Sequence, residues 1–251
     1  MKEKIRYIIG KRSFHIGMVI VIIAIILFIL GMIVLKYDVE GETNMPFQLK
    51  KIILISSSEG VDKEAGENKW AFDINQNNDI YLYIEKNQNY EKQEAIKTIT
   101  VDHINVQKQN ETGNIKFYRP NISEQEKMFT NKEENLIQSI EYEGAMESDI
   151  KNLKISNQGG KVVFRYANDK IAEYVSNDEE INHSELLKKS NITEENLRAK
   201  LTFDFMIETE AGKEYKANIS LNMPVDGVIE NGTASDEITD MSNIIFKRTK
   251  N

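Results

Sequence analysis

Asp73, Asn75, Asn77 and Asp79 stand at alternate positions of the stretch DINQNNDIYLYIE. Alternating oxygen donors are how the first half of an EF-hand loop wraps Ca²⁺. The second half does not follow. The sixth position, where the loop needs a glycine, is Asn78, and the twelfth, where it needs a bidentate glutamate, is Ile84, with Glu85 one residue late. The flanks read as strands rather than helices. The four residues are therefore kept as the metal candidates of this chain, subordinate to a simpler reading. In that reading Asn77, Asn78 and Asp79 build the turn of a β-hairpin through side-chain to backbone hydrogen bonds. No metal, cofactor or catalytic residue is assigned.

Other chemistry is thinner still. Asp178, Glu179 and Glu180 in SNDEEINH read as a solvated loop ahead of a helix capped by Asn182 or Ser184. His15, His103 and His183 show no HExxH or HxH spacing. Ser148 and Lys151 form an S-x-x-K without the companion motifs of penicillin-binding enzymes, and no G-x-S-x-G elbow, P-loop or dinucleotide fingerprint is present. Zero cysteines exclude disulfides, thiolate catalysis and lipid anchoring through cysteine. Asn110, Asn121, Asn191, Asn218 and Asn231 head N-x-S/T triplets, which an asparagine-rich chain collects by chance. Trp70, Tyr81, Tyr83, Phe117, Tyr118 and Tyr166 are candidates for a glycan-stacking platform, set against the ordinary use of aromatics in β-cores.

The elements that would position these residues fall into two kinds. Ile16 to Leu35 carries no charged side chain, and as a helix it extends about 30 Å, enough to cross a bilayer. Lys2, Lys4, Arg6, Lys11 and Arg12 precede it, whereas Asp38, Glu40 and Glu42 follow. The positive-inside rule then places the N-terminus in the cytoplasm and the rest outside, on an uncleaved signal anchor. The formal net charge of -8 divides into about +4 over the first fifteen residues and about -12 over the remainder. An acidic region with interspersed charges excludes nucleic acid as a partner.

Beyond the span the period is two. FQLKKIILIS ends at a polar SSSEG break; WAFDI and DIYLYIE alternate. KTITVDHINV and NIKFYR are joined around ETGN, and LKISNQGGKVVFRY turns at Asn157 to Gly160. LTFDFMIETEAGKEYKANISLNM is the clearest hairpin, with Gly212 at its turn. Short helices are expected at SEQEKMF, where Ser123 and Glu126 make a capping box, and at KEENLIQS, SELLKK and TEENLRAK. The fold class is mainly β: an N-terminal transmembrane helix, then an antiparallel β-sandwich of Ig-like architecture with short helices. The expected organisation is a cytoplasmic tail (1–15), a span (16–35), a linker (36–46) and a β-rich region (47–251). Two β modules meeting near 123–146 are the alternative to one shared core.

The basic N-terminus, the single span, the Asn/Lys-rich β region and stretches such as KISNQGGKVVFRY and EITDMSNIIFKR resemble single-span envelope proteins of low-GC Gram-positive bacteria. That resemblance implies the cytoplasmic membrane but no activity, and no functional residue is carried over from it. The expected function is a noncatalytic, membrane-anchored binding or scaffolding protein of the cell envelope, with a protein partner in or near the membrane. The alternative is a cell-wall glycan-binding module or a cell-wall enzyme.

Overall fold

The computed structural model describes residues 12–41, 44–63, 69–121, 128–129, 137–147, 149, 152–177 and 180–250. The protein is mainly β, with two sheets and an N-terminal apolar helix. Helix α1 runs Arg12–Glu40, so it extends five residues into the segment expected as linker. It contains the 20-residue stretch His15–Val34, long and apolar enough to cross a membrane, and that stretch is buried nowhere against the protein.

Eleven strands follow among the described residues: β1 Phe47–Asp62, β2 Trp70–Lys86, β3 Ile96–Lys108, β4 Asn114–Tyr118, β5 Ile140–Gly144, β6 Leu153–Ile155, β7 Gly159–Ser176, β8 Ala199–Thr209, β9 Glu214–Asn222, β10 Thr233–Ile238 and β11 Lys247–Lys250. Sheet A has the order β10-β1-β2-β7-β4, and sheet B the order β11-β9-β8-β3-β5-β6. Every pair is antiparallel except β5–β6, which is parallel, so sheet B is mixed. Their facing sides share one hydrophobic core. Ile52, Leu82 and Phe164 of sheet A meet Val101, Phe205 and Ile219 of sheet B, and this cluster draws on residues from both sides of 123–146. Phe164 and Phe203 meet edge to face across it, 5.3 Å between ring centroids, an arrangement that adds about 0.5–1.5 kcal/mol beyond area burial.

β1, β2 and β7 outrun sheet B and carry a second, smaller core. Phe72, Ile74 and Ile171 there pack on Leu186, Leu187, Leu197, Val225 and Val228. Val225 lies in the loop after β9, and the other four come from one-turn helices: α2 Leu186–Lys189, α3 Glu194–Leu197 and α4 Val228–Asn231. Asn182 caps the 3-10 turn ahead of α2 by accepting from Ser184 N, as expected. Thr193 opens α3 in a capping box with Asn196. The expected helices at SEQEKMF and KEENLIQS lie almost wholly outside the described residues.

Three local expectations are overturned. DINQNNDIYLYIE is not a hairpin: β2 passes straight through it as an inner strand, paired with β1 on one side and β7 on the other. SSSEG is likewise no break but the middle of β1, with Ser57 opposite Asn77. Flanking strands supply partners that a polar strand lacks in isolation, which is why sequence reading placed turns at both. Third, the pairs expected as β3–β4 and β6–β7 hairpins separate, because β3 and β6 join sheet B while β4 and β7 join sheet A. The β8–β9 hairpin stands as expected, Gly212 taking φ 79° at its turn.

Candidate functional site

Strand alternation places Asp73, Asn75, Asn77 and Asp79 on one face of β2, the face of sheet A turned away from sheet B. Their span is six residues, or about 20 Å of strand. Four donors spaced in that way cannot converge on one ion, whose ligands must lie within about 2.6 Å of it. Each has another engagement. Asp73 lies 3.0 Å from Lys63 Nζ and 3.2 Å from Lys170 Nζ. Burial raises the pKa of Asp73, but these two lysines outweigh it and hold the carboxyl below its ordinary value. Asn75 Oδ1 accepts from Lys170 N at 2.8 Å, and Asn77 Nδ2 donates to Glu59 Oε2 at 2.7 Å. Asp79 takes a two-pronged bond from Arg165, Nε at 2.5 Å and Nη2 at 2.8 Å, and the guanidinium lies 4.4 Å from the centroid of Phe129. The alternation that imitates a calcium loop is thus a ladder of cross-strand polar pairs. Among the described residues, no group of three or more His, Asp or Glu side chains is arranged to hold a metal ion.

The opposite face of β2 carries Gln76 and Asn78 between the two hydrophobic clusters. Gln76 Nε2 donates to Ser56 Oγ at 3.0 Å and lies 3.3 Å from both Asn78 Oδ1 and Leu197 O. Asn78 is fully buried and its Nδ2 finds no acceptor. Tyr166, directly opposite Asn78 on β7, is buried with its hydroxyl unpartnered, and burial pushes its phenol far up. These groups form a polar seam across the core.

The remaining candidates do not come together. His103 sits on sheet B at an irregularity of β3, with φ 50° and Nδ1 2.9 Å from Asp204 Oδ2, in a surface network with Lys216 and Asn218. His183 is exposed and makes a T-shaped contact with Phe72, 5.4 Å between ring centroids, beside the small core. Asp178, Glu179, Ser148 and Lys151 lie outside the described residues. Of the aromatics, Tyr118 and Tyr166 are buried and Phe117 packs on the main core. Tyr81 and Tyr83 each carry a lysine over the ring, Lys161 and Lys51, at 5.5 and 5.2 Å. Trp70 is 46% exposed, stacked on Phe72. The six do not form an exposed row.

What sequence reading missed is a cleft of about 760 Å³ where sheet B ends and sheet A continues, a volume within the usual range for ligand sites. It is lined by the β3 end and β8 start, with Lys108, Arg198 and Lys200, by the adjoining β9 exit, with Met223, Val225 and Asp226, and by β10, with Asp236. Lys108 Nζ donates to the carbonyls of Thr112 and Gly113 at 2.7 and 2.8 Å. Arg198 lies 3.6 Å from Glu194 and 4.0 Å from Asp226. No spacing rule links four segments so far apart in the chain, so no sequence signal announced the site.

The fold and cleft define a mainly β protein with an N-terminal apolar helix and a polar groove between its sheets. Neither family models, curated proteins nor solved structures provide a match to this chain.

Proposed function

We propose that this protein is a noncatalytic binding or scaffolding protein of the cell envelope, held by α1 in the cytoplasmic membrane. Its N-terminus lies in the cytoplasm and its β region, an Ig-like sandwich in the loose architectural sense, lies outside. The observation that carries the reading is the uncovered helix. Every large apolar side chain from Ile16 to Val34 is about half exposed or more, while the β core is complete without them. Leaving such side chains in water forgoes roughly 1.5–3 kcal/mol each, which a bilayer returns.

The junction supports a partner near the membrane. Gly41 leaves α1 against Ile245 and Phe246, and β1 begins six residues later. At about 3.5 Å per residue that link reaches no more than roughly 20 Å. Contact is favoured over turnover by the cleft's composition. Of its lining charges, Arg198 is engaged with Glu194 and Asp226, and its serine, Ser235, has no hydrogen-bonded base among the described residues. The glycan reading retains only Trp70 as an open ring face.

Protease added to cells stripped of wall tests the topology. The region after residue 41 should be digested, leaving a small protected fragment that carries the N-terminus. Protection of the β region would overturn the proposal. In the same cells, covalent crosslinking should give a defined set of adducts that survives replacement of 16–35 by an unrelated apolar span and fades when the span is removed, through lost effective concentration.

A further inference from the structure

We infer that the cleft beside β10 receives an extended peptide segment of the partner, added to sheet A as a further strand and carrying a carboxylate toward the basic wall. The inference deepens the binding reading above and rests on it.

β10 is an edge: it pairs with β1 on one side and, among the described residues, with no strand on the other. Its open side is part of the cleft. Ala234, Ser235 and Asp236 are consecutive, and all three line the space. Residues of a strand seen from one face alternate, so three in a row show that the backbone edge itself forms the wall. Unpaired N–H and C=O groups along such an edge are a template for another strand, and main-chain bonds then supply affinity while side-chain pockets supply selectivity.

Charge decides what the segment carries. On the sheet B wall Lys108 is bonded only to carbonyl oxygens, and Lys200 has no carboxylate at ion-pair distance among the described residues. Lys108 is therefore a cation without a carboxylate partner among the described residues, within a chain of formal charge -8. Cross-strand register puts Lys108, opposite Ala199, on the core side of sheet B and Lys200, opposite Gln107 and Asn222, on the other side. An Asp or Glu side chain of an incoming strand would therefore lie against Lys108, with its apolar neighbours over Met223 and Val225. Asp236, likewise without an ion pair, selects a basic residue for the place beside it on β10. The position is reachable by a partner. β9 spans nine residues from its start, at the end of the sandwich nearest α1, to the cleft, about 30 Å. The groove thus lies at the end of β9 remote from the strand end that pairs with β11.

The test pans a displayed library of random seven-residue peptides against the full chain in lipid nanodiscs. Enriched peptides should carry an acidic residue among apolar ones, and the synthetic versions should bind Lys108→Glu at least about tenfold more weakly. Lys108→Gln, which removes the charge without reversing it, should give an intermediate loss. Amide hydrogen exchange across 233–238 should slow on binding, a signature that a contact through side chains alone would not produce. Absence of any enriched peptide, binding indifferent to both Lys108 variants, or unchanged exchange on β10 would overturn the inference. None of these outcomes bears on the protease topology, so the parent reading stands or falls separately.

Discussion

Arg165 offers the sharpest test of how sheet A tolerates its polar centre. Its guanidinium makes two bonds to Asp79 and lies over Phe129, with side chains 16% and 13% exposed for Arg165 and Asp79. Replacing Arg165 by Met keeps the stem packed on Phe129 but strands the Asp79 carboxylate in a nearly closed site. Two charge-assisted bonds are lost, each worth about 1.5–3 kcal/mol, and the orphaned charge remains, which sets the expected cost near 3–5 kcal/mol. Removing both partners, as Asp79→Leu with Arg165→Met, leaves no stranded charge and should return to within about 1 kcal/mol of the parent. Phe129→Ala alone isolates the ring contact, about 0.5–2 kcal/mol plus lost packing. Urea unfolding of the full chain in nanodiscs, followed by the fluorescence of Trp70, the sole tryptophan and on the same strand as Asp79, reads all four proteins. A loss below about 1 kcal/mol for Arg165→Met would show a solvent-screened surface pair. A double variant as unstable as the single one would refute the account of the ladder.

Four further outcomes follow from the same geometry. Tyr142 OH both donates to Val163 O at 2.9 Å and accepts from Val163 N at 3.0 Å, standing in for a neighbouring strand where β4 no longer covers β7. Tyr142→Phe should therefore destabilise by roughly 2–4 kcal/mol, measured by urea unfolding. Asn78→Leu gives up one long bond from Gln76 but removes a buried unpartnered amide, so a gain of about 0.5–1.5 kcal/mol is expected; a loss would show that the seam is better satisfied than its geometry indicates. Burial raises the pKa of Asp204, but Lys216, Asn218 and His103 outweigh it and hold it below the ordinary carboxylate value, as the lysines do for Asp73. Their contribution is present above the unfolded value, about 3.9, and is lost as pH falls through the lower folded value; Asp204→Asn should flatten the acid limb of a stability–pH curve. Millimolar Ca²⁺ should leave the melting midpoint unmoved beyond the general salt effect, whereas a rise abolished by Asp73→Ala would restore these residues as ligands.

The apolar helix and the β8–β9 hairpin were legible because their causes are local. Twenty residues without a charge need no partner to declare themselves, and Leu201, Phe203, Phe205 and Ile207 repeat against Tyr215, Ala217, Ile219 and Leu221 across a turn that Gly212 permits. The alternation of β1 and β2 was legible too, but only at their apolar ends. Ser56 to Glu59 and Asp73 to Asp79 look like turns because a lone strand leaves buried serine and asparagine unsatisfied. Only the tertiary structure, by setting β1 and β7 against β2, supplies Glu59, Arg165 and Lys170 as partners. Sheet membership was likewise beyond local reading. The turns after β3 and β6 fit a hairpin and a crossover equally, and the choice fell to which apolar face could complete the shared core. The cleft is the extreme case. Lys108, Asp226 and Asp236 line one space only because sheet A outruns sheet B, a difference in strand length that pairing partners fix and no single segment encodes.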